Sequence, residues 1–354
     1  MVNPNFKKGI YNVPHTILHI LGLQDNRVLE DFKGCHSSRI VFILVDGMGI
    51  NVIKTHFGDK FQHYTLLTSL FPSTTANVLT TILTGLSPRE HGILEYRLYY
   101  EVFGNVIKTL PFSPLDASEN DVLLKMGVSP EKLFYLPTVF EKLEKEGIKS
   151  AALIRREYSH TSYTHNLLKG ANIVPYSSLE DAFVKISKRK EALLFVYIDY
   201  LDTVEHRYGP NSPQTAEMLG KILYQLENLR RREIGAIMVT ADHGLVEIKR
   251  KIILDLHCPF PLGGSPRDVF LYSCNLDDVE GYGIEILLKK EIISSNILGP
   301  GEENIALEKR VPDYLLLPPE NVGVWDTSFE LKGLHGGLSP EEMLIPFIFI
   351  PEKS

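Results

Sequence analysis

Apolar residues fall along the chain in short, nearly unbroken blocks. Five of these blocks read as buried strands: residues 39–47 (RIVFILVDG), 149–156 (KSAALIRR), 192–202 (ALLFVYIDYLD), 235–244 (GAIMVTADHG) and 343–351 (MLIPFIFIP). Continuous aliphatic runs, as opposed to strict alternation, suit parallel strands covered on both faces. Between them lie helical patterns. Residues 136–147 (LPTVFEKLEKEG) place apolar side chains at helical spacing and end on glycine, and residues 213–232 (PQTAEMLGKILYQLENLRRR) form a longer amphipathic segment. This alternation predicts an α/β fold with a mostly parallel central sheet and helices on both faces, formed by residues 1–354 as one domain. From 245 to 334 the pattern gives way to proline- and glycine-rich stretches (HCPFPLGGSPRD, GPGEEN, LLLPPENVG), so residues 246–333 are expected to form a small cap or insertion on that domain.

Composition narrows the function. The 354 residues carry 37 basic and 44 acidic side chains, a net charge of -7 with no long basic block. Nucleic acid is therefore not expected as an obligate partner. No run approaches the ~18 apolar residues of a membrane span. Cys35, Cys258 and Cys274 are too few and too scattered to suggest a disulfide framework, and residues 1–22 lack the apolar core of a secretory signal. The expectation is a cytoplasmic protein with reduced cysteines and no membrane partner.

Three of the strand-like blocks end in carboxylates: Asp46, Asp202 (with Asp199 before it) and Asp242. Ligands of open α/β sheets bind outside the carboxyl ends of the strands. Carboxylates converging there repel one another unless cations lie between them. Histidines accompany two of these groups, and a third histidine lies before the last strand-like block. Asp202 and His206 are one helical turn apart, His243 follows Asp242 ahead of Gly244, whose backbone freedom permits the sharp turn that would bring both to one site, and His335 sits in a glycine-rich loop before the last block. Mixed Asp and His ligands fit zinc, with manganese or iron as alternatives.

Residues 70–85 (LFPSTTANVLTTILTG) raise a further question, because Ser73, Thr74 and Thr75 precede a helical run. Thr75 reads as an N-cap. A helix start also presents free N–H groups that hold phosphate oxygens, and a threonine hydroxyl becomes a nucleophile when activated by a metal.

Taken together, Asp46-Gly47, the Pro72–Thr75 motif, Thr84-Gly85, His91-Gly92-Ile93, Asp202 to His206, Asp242-His243-Gly244 and His335 resemble the type I phosphodiesterase/nucleotide pyrophosphatase family of the alkaline phosphatase superfamily. The resemblance runs over about residues 39–351. It implies two divalent metal ions, one held by Asp202, His206 and His335, the other by Asp46, Asp242, His243 and the Thr75 hydroxyl. It selects Thr75 as the nucleophile of a phospho-threonine intermediate, with Thr74 second, and a small phosphodiester or pyrophosphate as substrate. Family members often carry an asparagine shortly after His-Gly-Ile. Here Tyr96 stands at or near that position with Arg97 beside it, and these two are the expected substrate contacts, with Arg267 a further candidate for phosphate. The segment HGGLSPEEMLIPF also resembles phosphoglycerate mutases of the same superfamily. A phosphomonoesterase, a mutase-like phosphoryl transferase or a non-catalytic metal- and phosphate-binding protein are thus the alternatives.

Overall fold

The aliphatic run Ile40–Val45 (β1) is the middle strand of a seven-stranded sheet, and every one of its residues is buried. The computed structural model describes residues 1–58, 64–276, 279 and 282–352. The other main-sheet strands are Thr65–Thr68 (β2), Ser150–Arg155 (β3), Asn172–Tyr176 (β4), Leu193–Ile198 (β5), Ala236–Thr240 (β6) and Leu344–Ile350 (β7). Their spatial order is β2-β7-β6-β1-β5-β3-β4. Strands β1, β3, β4, β5 and β6 run parallel. Because β1, β5 and β6 are covered on both faces, they have no polar alternation, which is why they stand out as unbroken apolar blocks.

The block at 343–351 departs from expectation. As β7 it pairs antiparallel with β6 and with β2. A strand that enters from the rim where its neighbours end must run against them. This reversal brings the preceding loop, with His335, to the carboxyl end of the sheet. The chain leaves β2 at the same rim and enters the helix Thr75–Thr84 (α1), whose C-terminus is closed by left-handed Gly85 at φ 73°.

Helices Val139–Lys145 (α2), Tyr200–Tyr208 (α3) and Pro213–Arg230 (α4) are among those flanking the sheet. Helix α2 begins with a reciprocal Thr138–Glu141 capping box. Within α4, Leu219 and Ile222 are fully buried, while Glu217 and Lys221 pair on its outer side.

A separate antiparallel sheet orders Gly263–Ser265, Asp268–Leu271, Tyr314–Leu317 and Glu285–Leu288. It packs around its own apolar cluster, which includes Leu254, Val269, Leu316, Val324 and Trp325. Here the expectation of reduced cysteines is corrected: Cys258 and Cys274 form a disulfide, with Cα atoms 4.6 Å apart, and only Cys35 is free. The pairing depends on how the chain folds back through this sheet, which cysteine spacing does not encode. Among the described residues, no helix is long and apolar enough to cross a membrane.

Candidate active site

The carboxyl end of the sheet gathers side chains from five segments. Asp46 follows β1 directly, and Gly47, at φ 78°, turns the chain there. The Gly47 N–H donates to Asp242 Oδ1 at 3.1 Å, and His243 N–H donates to the same oxygen at 2.9 Å. Asp242 Oδ2 has no donor and lies 3.4 Å from His243 Nε2. That nitrogen is 3.5 Å from Asp46 Oδ1 and 3.2 Å from Thr75 Oγ1, and Thr75 Oγ1 is 3.5 Å from Asp46 Oδ2. Asp202 and His206 project from successive turns of α3, with Nε2 3.3 Å from Asp202 Oδ1. His335 completes the group. Its Nε2 is 3.9 Å from Asp202 Oδ1, and its ring stacks on His243 with centroids 3.7 Å apart. The structure thus brings Asp46, Thr75, Asp202, His206, Asp242, His243 and His335 to one place.

Two local readings change. The N-cap of α1 is Thr74, in extended conformation, whereas Thr75 is the first helical residue and makes no capping bond. Freed from capping, the Thr75 hydroxyl faces the carboxylates. Gly244, in turn, is required by close approach and not by a left-handed turn. A Cβ there would lie 2.2 Å from the Glu341 carbonyl oxygen and 2.8 Å from Gly49 Cα. Gly244→Ala is therefore expected to destabilise the fold by about 3 kcal/mol through backbone displacement, read as a lower Tm in thermal unfolding, with the Asp242–His243 geometry lost alongside.

The cluster is electrostatically frustrated in a way that a cation relieves. Burial, then the Asp242 and Asp202 charges, pushes Asp46 well above the usual carboxylate range. Burial likewise raises Asp202 and Asp242 to about 6. Burial and the neighbouring His206 depress His243 to about 3, and burial with His243 and His206 holds His335 well below the usual histidine value. His243 and His335 are consequently neutral and cannot neutralise the acids.

Donor chemistry fits divalent metal. His206 Nδ1 is 2.7 Å from the Gly333 carbonyl and His335 Nδ1 is 2.9 Å from the Ser73 carbonyl, so each donates there and keeps its Nε2 lone pair for the cluster. Asp46 Oδ1, Asp202 Oδ1 and Asp242 Oδ2 are buried without donors. Among the described residues, two sets have one ligand atom from each residue within 4.8 Å of the others: Asp202, His206 and His335, and Asp46, Asp202 and His243. Asp202 belongs to both, which motif spacing did not suggest.

These groups open into a cavity of about 650 Å³ that Thr75, Asp202, His206 and His335 line together with Tyr96 and Arg97. Tyr96 is 39% exposed, and the Arg97 guanidinium lies 5.2 Å from the Trp325 ring centroid. Arg267 does not reach the cavity. It is buried in a bidentate pair with Glu342 and donates to the Pro319 and Val322 carbonyls. His91 is structural, accepting from Ile93 N–H and contacting Thr81 Oγ1 at 3.0 Å.

Sequence reasoning missed Tyr197, which donates its hydroxyl to Asp46 Oδ2 from within β5. The available signal was a phenol in an otherwise wholly apolar buried strand, where its O–H must find a partner. It also missed Glu95, which lines the cavity, and Glu205, fully buried beside Gly47.

The family described as type I phosphodiesterase / nucleotide pyrophosphatase matches residues 40–264. An uncharacterised pyrophosphatase/phosphodiesterase of Schizosaccharomyces pombe is 25% identical over 352 residues, spanning 86% of this chain and 69% of the relative. Murine ectonucleotide pyrophosphatase / phosphodiesterase 5 superposes with a TM-score of 0.63 at 17% identity, over 88% of each chain. Phosphonoacetate hydrolase from Sinorhizobium meliloti, solved with phosphonoacetate, gives 0.61 at 19% identity over 89% of this chain and 91% of its own. With more than half of the sequence matched and the fold shared, the chain belongs to the type I phosphodiesterase/nucleotide pyrophosphatase family of hydrolases.

Proposed function

We propose that the protein is a metal-dependent phosphodiesterase or pyrophosphatase that acts through a phospho-threonine on Thr75, on a small phosphodiester or pyrophosphate. One observation carries this reading: the Thr75 hydroxyl, at the start of α1, faces Asp46 and His243 inside a cluster of acid oxygens that lack donors. Asp202, His206 and His335 would hold one divalent ion and Asp46, Asp242, His243 and Thr75 the other, with zinc favoured by the ligand set and manganese or iron as alternatives. Bound there, such ions would supply the positive charge that lowers the hydroxyl's pKa and offsets charge on the phosphoryl oxygens.

The chain's own groups define the remaining chemistry. Thr75 Oγ1 forms the bond to phosphorus as the leaving oxygen departs, and water then cleaves the phospho-threonine to restore the hydroxyl. The first N–H groups of α1 have no acceptor within the helix and can donate to non-bridging oxygens. Tyr197 holds Asp46 in place. Tyr96 and Arg97 are proposed to contact the substrate, and the segment over residues 246–333 to act as a cap that shapes the leaving-group side.

The test compares bis-p-nitrophenyl phosphate with p-nitrophenyl phosphate, with added zinc or manganese and after chelation. Diester hydrolysis that chelation abolishes and metal restores is the expected result. Turnover that survives exhaustive chelation would remove the metal reading, and protein that binds metal yet hydrolyses neither ester would identify a non-catalytic binder.

A further inference from the structure

A second carboxyl cluster borders the same cavity and takes no part in the proposed metal sites. Glu95 lines the cavity with Thr75 and is 1% exposed. Its carboxyl hydrogen-bonds to that of Asp268, which is fully buried. Two carboxyl groups can hydrogen-bond only when one of them carries a proton. The pair therefore shares a proton and keeps one negative charge. Its other bonds are fixed: Tyr96 N–H donates to Glu95 Oε2 at 2.6 Å, and the Ser265 N–H and O–H donate to Asp268 Oδ1 at 3.2 and 2.6 Å. Glu95 Oε1 and Asp268 Oδ2 find no donor elsewhere.

The charge resides on the cavity side. Burial and the adjacent Glu95 carboxyl hold a proton on Asp268, raising it well above the carboxylate range, whereas Glu95 is raised by burial only to about 7. The charged neighbours of the pair are Arg97, which acts on Glu95, and Glu342, which acts on Asp268 and is already paired with Arg267. Thr74, immediately before Thr75, also touches Glu95. Among the described residues, Arg97 is the only Lys or Arg lining the cavity. A cavity built for a dianion would concentrate cations here, yet this one includes a carboxyl group in the lining it shares with Thr75.

Resting on the phosphoryl-transfer reading above, we propose that Glu95 makes the site selective for singly charged phosphoryl groups, repelling the second charge of a monoester and so favouring diesters. A like charge in a partly dry cleft is worth about tenfold or more in affinity.

The test uses full-length, zinc-loaded protein at about pH 8: wild type, Glu95→Gln, Asp268→Asn and the double variant. It measures kcat/KM for bis-p-nitrophenyl phosphate and p-nitrophenyl phosphate, and the affinity for inorganic phosphate by calorimetry. The diester-to-monoester ratio should fall about tenfold in Glu95→Gln and further in the double variant, with phosphate bound about tenfold tighter. Asp268→Asn leaves the charge on Glu95 and should keep the wild-type ratio, which separates charge from a mere structural tie. An unchanged ratio with unchanged phosphate affinity in the double variant would overturn the proposal, as would an Asp268→Asn protein relaxed as far as Glu95→Gln. If wild type cleaves neither ester, the hydrolase reading falls, and phosphate affinity alone decides the role of Glu95.

Discussion

Replacing Thr75 with alanine should lower kcat/KM on a diester by at least about a thousandfold, because the two neighbouring hydroxyls do not take its place. Ser73 and Thr74 are close in sequence but committed elsewhere. Ser73 Oγ donates to the Gly337 carbonyl at 2.8 Å, and Thr74 Oγ1 donates to the Leu94 carbonyl at 3.2 Å. Thr75 makes no cap bond, so Thr75→Ala should leave the stability within about 1 kcal/mol of wild type. Metal content, measured by mass spectrometry, should also persist, since Asp46, Asp242 and His243 remain. Thr74→Ala provides the contrast, with an expected loss below about tenfold. A Thr75→Ala enzyme that keeps a tenth of its activity would assign the nucleophile elsewhere.

Much of this site was legible because its acidic side chains sit where strands end. Asp46 and Asp242 each follow an unbroken apolar block, and that position says more than either residue type. Asp202 and His206 were readable through helical spacing alone. What could not be read depended on non-local packing. The direction of β7 follows from where its loop enters, not from its composition. Glu95 and Asp268 lie far apart in the chain, and each reads singly as a surface acid. Arg267 looked available for phosphate, but Glu342 engages it in the interior. Gly244 was correctly singled out, for the wrong physical reason: its lack of a side chain matters, not its backbone freedom.

Stripping the metal should leave a protein whose stability falls as pH rises above about 6.5, and the sign follows from the buried groups. A carboxyl whose folded pKa is raised stabilises the fold fully below its unfolded value and loses that contribution as pH rises through the folded value. Asp202 and Asp242 lose theirs between about 4 and about 6. His243, depressed to about 3, acts oppositely: its contribution is complete above its ordinary 6.5 and is lost as pH falls toward 3. Below pH 6.5 these effects oppose one another. Above it the histidine contribution is constant, while Asp46 and Glu205, both raised well beyond the ordinary range by burial first, remain protonated in the fold and ionise on unfolding. Each pH unit over which one such proton is retained costs about 1.4 kcal/mol. Between about pH 6.5 and 8.5, chelated protein should therefore lose roughly 5 °C or more in Tm. Excess zinc should restore stability most at the alkaline end, where Asp202 and Asp242 are already ionised and Asp46 gives up its proton most readily. Scanning fluorimetry across that window checks both effects. A chelated protein with flat or rising Tm, or one indifferent to zinc, would mean that Asp46, Asp202 and Asp242 are stabilised by something other than a cation.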